Sequence, residues 1–425
     1  MVWKKRYNVL SIIFIAYLLC YMDRMVMSTA IPFIAKEFAL SPLEMGAVMS
    51  AFFFSYALSQ IPGGILADKF GARMVVAGGL VWWSIFTAIT GMASSLKTMI
   101  VFRVLFGIGE GIFPPGAFKT IASWFPHREV GRASAIMLTT NCLGPALAPI
   151  FVAYLVVEWG WRMVFYSLLI PGLLVAALVW WYCKSPRATQ GLSAEELSEI
   201  EGDRVEKALP EKKIGFGKLV RMPLVWKCFF TLFFFNIALW GLMSWLPTYL
   251  MQARGFSIMK MGIASSLPYV SGTIGILISG YLSDRWFKDK RHWLVVFGAS
   301  IGAVFIYLNA MAVSAETAVL YQIIGFFFLW IAMASIFTIP IATLPSEVAG
   351  SAMGLVNTAG QAAGFLSPLA VGYILTVTGN DYYYAFMMFV ICLGLSSIAA
   401  LTIGSTRKAM VAMEADVAME NRRPS

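Results

Sequence analysis

Five ionisable side chains interrupt apolar stretches in the first third of the chain: Asp23, Arg24, Arg103, Glu110 and Lys119. A charge at the centre of a lipid-solvated helix costs about 2.5–3.5 kcal/mol, so such residues point to function and normally face a polar chamber. Arg103 and Glu110 are seven residues apart, which places them on one helix face with about 10 Å between them. Asp23 lies 15 residues beyond Asn8, hence roughly 22 Å along a helix that starts there. Lys119 is closer to the end of its run and can snorkel to the interface. Two acids and two guanidinium groups suit one chemistry well. An ionised Asp23 neutralises Arg24 or Arg103 and repels an arriving carboxylate. Once protonated, it leaves a guanidinium free to hold an anion through two parallel hydrogen bonds. Glu110 supplies a second proton site.

The elements that must position these groups are membrane spans. The chain has 425 residues, 59% hydrophobic and only 13% charged, with a mean hydropathy of +0.76. Soluble domains are about 45–50% apolar and 25% charged. These values exclude a soluble enzyme, a disordered chain and a nucleic-acid-binding module. Apolar stretches long enough to cross a bilayer fall near 8–35, 43–67, 74–94, 97–123, 131–157 and 161–183, and again near 223–251, 258–283, 293–313, 316–341, 350–378 and 382–405. The expected fold is therefore all-α and polytopic, with twelve spans in two six-helix bundles, 1–183 and 223–405. A polar cytoplasmic linker, 184–222, joins them, and a cytoplasmic tail, 406–425, follows. The linker carries an acidic, amphipathic, helix-capable segment starting at Ser193.

Charge distribution sets the orientation. With both termini and the linker inside, 24 of the 32 Lys and Arg residues fall on the cytoplasmic side and five outside. The positive-inside rule is obeyed, so the net charge of +10 needs no nucleic-acid partner. The five cysteines lie in or beside apolar stretches without a paired motif and read as small packing residues.

The halves echo each other. GGILADKFGAR at 63–73 returns as SGYLSDRWFKD at 279–289, Gly46 as Gly262, and Pro149 as Pro368. Such duplication implies pseudo-symmetric bundles that give alternating access to a midplane site. The second half lacks matching buried charges; its polar residues, including Asn236, Asn357 and Gln361, are neutral. This asymmetry suggests that the first bundle holds the anion and protons while the second reads hydroxyl groups. Tyr21, Tyr56, Trp240, Tyr249 and Tyr269 are aromatic candidates for a cavity lining.

The loop Gly64-Ile-Leu-Ala-Asp68-Lys69-Phe-Gly71-Ala-Arg73, with its copy Gly280-Tyr-Leu-Ser-Asp284-Arg285, resembles the signature loop of the major facilitator superfamily. Tyr21-Met-Asp23-Arg24 and the segment from Arg103 through Glu110 to Pro114-Pro115-Gly116 are similar to the anion:cation symporter family, and to its sugar-acid branch in particular. The resemblance spans essentially the whole chain. It implies proton-coupled uptake of a sugar acid such as galactonate, with Asp23 and Glu110 as protonatable acids and Arg24 as the carboxylate clamp. Arg103, Asn141, Gln361, Tyr56, Asn236 and Asn357 are the further substrate-contact candidates. Asn141 stands where the family often has Gln. The gating motif comprises Gly64, Asp68, Lys69, Gly71, Arg73, Asp284 and Arg285. No metal or cofactor is expected, the proton gradient being the drive. The expected setting is a bacterial inner membrane, with the chain acting as a monomer. Another carboxylate (tartrate, phthalate or hydroxyphenylacetate type) or a vesicular-type anion remains an alternative cargo. A membrane enzyme would need a nucleophile–base pair or a metal cluster, and the sequence offers neither. Gly107-Ile-Gly109-Glu-Gly111 resembles a nucleotide loop, but it lies within a span and reads as close helix packing.

Overall fold

The computed structural model describes residues 4–205, 220–343 and 346–404. The tail at 406–425 and part of the linker lie outside the described residues. Every regular element among the described residues is helical. The first half runs α1 (Lys5–Phe38), α2 (Pro42–Phe70), α3 (Ala72–Thr90), α4 (Leu96–Trp124), α5 (His127–Leu138), α6 (Thr140–Trp159), α7 (Trp161–Ser167) and α8 (Leu169–Tyr182). The linker forms α9 (Ala194–Val205). The second half runs α10 (Pro223–Gln252), α11 (Ile258–Arg285), α12 (Arg291–Met311), α13 (Ala315–Thr343), α14 (Ser346–Val377) and α15 (Tyr382–Ile403).

Among the described residues, ten segments are long and apolar enough to cross a membrane, with α5–α6 and α7–α8 each counting as one. The other two crossings are α2 and α4, 29 residues each. Their polar residues, Arg103 and Glu110 among them, dilute the apolar signal that marks the rest. The twelve-span architecture read from the sequence is thus the observed one, with element ends within a few residues of those expected.

Local rules set the entries to α2 and α4. Ser41 caps α2 and Glu44 returns the bond, a capping box with Pro42 at the first helical position. Ser95 and Thr98 do the same for α4. Small residues then bring the helices together. A Cβ at Gly107 would sit 2.6 Å from the Phe52 carbonyl, and one at Gly111 would sit 2.6 Å from the Tyr56 carbonyl. Glycines four apart let the α4 backbone lie directly on α2. The expected packing role of this glycine run is what the structure contains.

The described chain groups into two compact units. The first holds the described part of Met1–Pro210 with Ser244–Ser266 and Pro368–Tyr373. Within it the repeat is visible as a contact: Gly46 abuts the Pro368 carbonyl, and Gly262 abuts the Pro149 carbonyl. The second unit holds the described parts of Glu211–Met243, Leu267–Ser367 and Ile374–Ser425. There α12 packs between α13 and α15.

The acidic linker helix docks on the start of α1. Glu196 accepts hydrogen bonds from the backbone N–H groups of Lys5 (3.2 Å) and Arg6 (3.0 Å), so a side chain from α9 caps α1. Arg6 is only 2% exposed and pairs with Glu199 at 3.1 Å and Glu129 at 3.3 Å. Lys4 adds a 2.6 Å bridge to Glu199. These donors, Lys4 first, hold the Glu199 carboxyl below its ordinary range.

Candidate functional site

The charged residues singled out in the sequence converge inside the first unit. Asp23, Arg24, Arg103 and Glu110 are all buried, Glu110 completely. Arg24 Nε donates to Glu110 Oε2 at 2.7 Å, linking α1 to α4. Its guanidinium carbon lies 4.4 Å from the Tyr56 ring centroid, 4.8 Å from Tyr21 and 5.3 Å from Phe52. Arg24 Nη2 also donates to the Cys20 thiol at 3.6 Å, one helical turn back along α1. The ion pair therefore sits in a cage of rings and a thiol, away from water.

Arg103 is held differently. It forms no ion pair with a described residue; its guanidinium rests against Phe106 at 4.4 Å and Phe52 at 5.4 Å. Asp23 is within electrostatic reach of Arg103, Glu110 and the Trp83 indole. Yet its Oδ1 has no hydrogen-bond partner among the described residues, and neither does the Trp83 Nε1.

The residue types and spacing offer Asp23 either Arg24 or Arg103 to neutralise; the structure pairs Arg24 with Glu110 and leaves Asp23 within electrostatic reach of Arg103. Adjacent helical residues point about 100° apart, so Asp23 and Arg24 face different parts of the cluster. Depth along a helix is readable from residue order; the direction each side chain takes around it is not.

Asn141 is half-buried in the same unit, with an unpartnered Oδ1. Asn236, Asn357 and Gln361 belong to the second unit. There Asn236 presses against the backbone of α14 at Gly360, next to Gln361, and leaves its Oδ1 unpartnered. Of the aromatic candidates, Tyr21 and Tyr56 reach Arg24. Tyr249 instead accepts from Arg254 Nε at 2.6 Å, and Tyr269 stacks edge-on with Phe326.

The signature loop also has partners. Lys119 on α4 donates to Asp68 (2.7 Å) and to the Ala67 carbonyl (2.9 Å). Arg73 lies 4.4 Å from the Trp180 ring, and Gly71 has φ +85° at the α2–α3 corner. Gly64 has room around it: a Cβ there would meet only Pro115, at 3.9 Å. Lys69 reaches back over Phe70. In the second copy, Asp284 pairs at 3.7 Å with Arg291 rather than with Arg285.

Comparison with known proteins decides the family. Residues 13–368 match the Major Facilitator Superfamily model. The chain belongs to the major facilitator superfamily. Among curated members, it is 33% identical to a probable sulfoacetate transporter, SauU, of Cupriavidus necator, with 94% of each chain covered. It is 30% identical to a probable galactarate/D-glucarate transporter, GarP, of Escherichia coli K12, over 92% of this chain and 93% of that one. Identity to a hexuronate transporter of Bacillus subtilis is 27%, with 98% of both covered. In three dimensions it superposes on an inward-facing bacterial homologue of the lysosomal transporter Spinster with TM-score 0.77 and 20% identity, covering 95% of this chain and 97% of that one. It also superposes on the Escherichia coli xylose transporter XylE with TM-score 0.76 and 14% identity, covering 96% and 99%. Those likenesses establish the superfamily fold. This member of the superfamily is a multi-pass membrane transporter and not an enzyme.

Three residues in the superfamily member's charged cluster carry no signal in the sequence. Phe52 stands in a run of three phenylalanines, Trp83 beside Trp82, and Cys20 in an apolar stretch. Only the glycine spacing on α4 hints that α2 must touch it closely.

Proposed function

We propose that this chain is a proton-coupled symporter that takes up a small organic anion by alternating access, with a sugar acid such as galactonate as its leading cargo. The buried Arg24–Glu110 pair carries this reading. With Glu110 ionised, Arg24 is already satisfied, and an arriving carboxylate meets the negative charges of Asp23 and Glu110. Protonating Glu110 leaves an uncompensated guanidinium where little water can replace the lost partner. A carboxylate of the cargo then takes the place of the Glu110 carboxylate, bound by two parallel hydrogen bonds. Releasing the cargo lets Glu110 ionise and close on Arg24 again. One group thus answers to both proton and anion, which is the essence of coupling.

Asp23 serves as the second proton site, and Arg103 adds positive charge for the same cargo. The neutral amide of Asn141, in the same unit, reads a hydroxyl group of the cargo. The Asp68–Lys119 contact and its Asp284 counterpart act at the gating loops. The relatives named above support a small acidic cargo, and the lysine and arginine distribution supports a bacterial inner membrane with cytoplasmic termini. We take the working unit to be a monomer. A second reading, a doubly charged cargo such as glucarate or sulfoacetate, is favoured by the two guanidinium groups in one cluster.

The test is uptake into proteoliposomes under an imposed pH gradient, with galactonate, glucuronate, glucarate, tartrate and sulfoacetate as cargoes. Accumulation of at least one acid, abolished by a protonophore, is the expected result. Arg24→Lys keeps the charge but loses the planar fork, and should weaken binding about tenfold or more. Uptake that ignores the protonophore would sink the coupling.

A further inference from the structure

We propose that Phe52 is a positioning residue for transport: its ring holds Arg24 and Arg103 in place as cations at the stage when no carboxylate neutralises them. This assignment rests on the anion-symport reading above and adds a component to it. Both guanidinium groups lie against the same ring, Arg24 at 5.3 Å and Arg103 at 5.4 Å from its centroid. Both distances fall inside the roughly 6 Å range of a cation–π contact. Among the described residues, no other ring is shared by the two.

The need for such a group follows from the cycle. Once Glu110 and Asp23 are both protonated, Arg24 and Arg103 remain as two like charges in a buried cluster. A carboxylate cannot stabilise them at that stage without competing with the cargo. A ring can, because its negative face attracts cations yet never titrates and never forms the parallel hydrogen bonds an anion requires. Phe52 is also firmly placed. It is 2% exposed, its carbonyl lies under Gly107, and its ring meets Phe106 at 5.5 Å and Tyr56 at 5.3 Å. The titratable and charged groups of the cluster that Phe52 joins are Tyr17, Cys20, Tyr21, Asp23 and Arg24 on α1, Tyr56 on α2, and Arg103 with Glu110 on α4. Tyr21 and Tyr56 touch Arg24 too, but neither reaches Arg103.

A fluorination series separates this role from packing. Phe52 is replaced by 4-fluoro-, 3,5-difluoro- and 3,4,5-trifluorophenylalanine, which keep the ring's shape while depleting its face stepwise; Phe52→Leu removes it. The first readout needs no ligand: thermal unfolding of the full chain in detergent at pH 8 and pH 5. The loss of stability on the acid side should grow with each fluorine, because Glu110 then leaves Arg24 to the rings. The second readout is affinity for D-glucarate, expected to fall stepwise by about tenfold across the series. An unchanged acid-side loss across all three fluorinated rings overturns the assignment. A graded acid-side loss in a protein that binds no acid of the panel upholds Phe52 as the cation holder and overturns the sugar-acid reading instead.

Discussion

Helix α4 makes two ion pairs of equal length in different surroundings. Glu110 meets Arg24 at 2.7 Å with side chains 0% and 6% exposed, whereas Lys119, nine residues on, meets Asp68 at 2.7 Å with 41% and 79% exposed. Distance alone would rank them as equals. Solvent separates them: at the rim, water replaces a missing partner, and such pairs are worth about 0–1 kcal/mol. In the core nothing replaces it, and removing one partner of a buried pair costs about 3–5 kcal/mol. The same contact is therefore a clasp at the membrane edge and a decision point in the interior, where only a proton or another anion can substitute. The Arg6 cluster falls between them, with one buried cation and two half-exposed acids.

The comparison breaks hardest at Glu110. Glu110→Gln should reduce gradient-driven accumulation in proteoliposomes to background while leaving anion binding measurable at neutral pH, since the amide imitates the protonated acid. Accumulation close to wild type would put the core pair on a level with the rim pair. Arg6→Met comes next. Leaving Glu199 and Glu129 without their shared cation should cost about 1–3 kcal/mol, read as a fall of a few degrees in the melting temperature. The Lys119→Met change should cost under about 1 kcal/mol and matter less in high salt; a larger, salt-independent loss would mean the rim is drier than it looks.

The smallest effect is a pH effect at Glu199. Its carboxyl is held below the ordinary value of 4.5 by Lys4 and then Arg6. A lowered native value means that the docking of α9 keeps its full strength above pH 4.5 and loses it as the pH falls further, through the native value. Hydrogen exchange at the start of α1 should accordingly be flat from pH 7 to 5, after correction for intrinsic exchange, and rise only below that.

What the sequence discloses follows from the same contrast. Spans are legible because lipid imposes length and apolarity on every crossing helix, and charged loops bracket them: α12, expected at 293–313, is found at Arg291–Met311. Buried charges are legible because each is costly and so stands out against its neighbours. Their pairing is not, because it depends on how α1 is rotated against α4, and one chain's residue order records depth but not azimuth. Phe52 is hidden for a different reason. An aromatic ring in an apolar helix is unremarkable until two cations are found on it. The acidic segment at Ser193 reads as a helix, but nothing along the chain says that its Glu196 caps a helix beginning almost two hundred residues earlier.

That cap has a mechanical meaning. From Arg6, fixed by the linker helix, to Arg24, fixed by Glu110, α1 contains neither proline nor glycine, and spans about 27 Å as one rod. A rod gripped at both ends transmits strain: what loosens the grip at one end unloads the other. In the proposed cycle, force applied to the linker helix would act in series with protonation of Glu110.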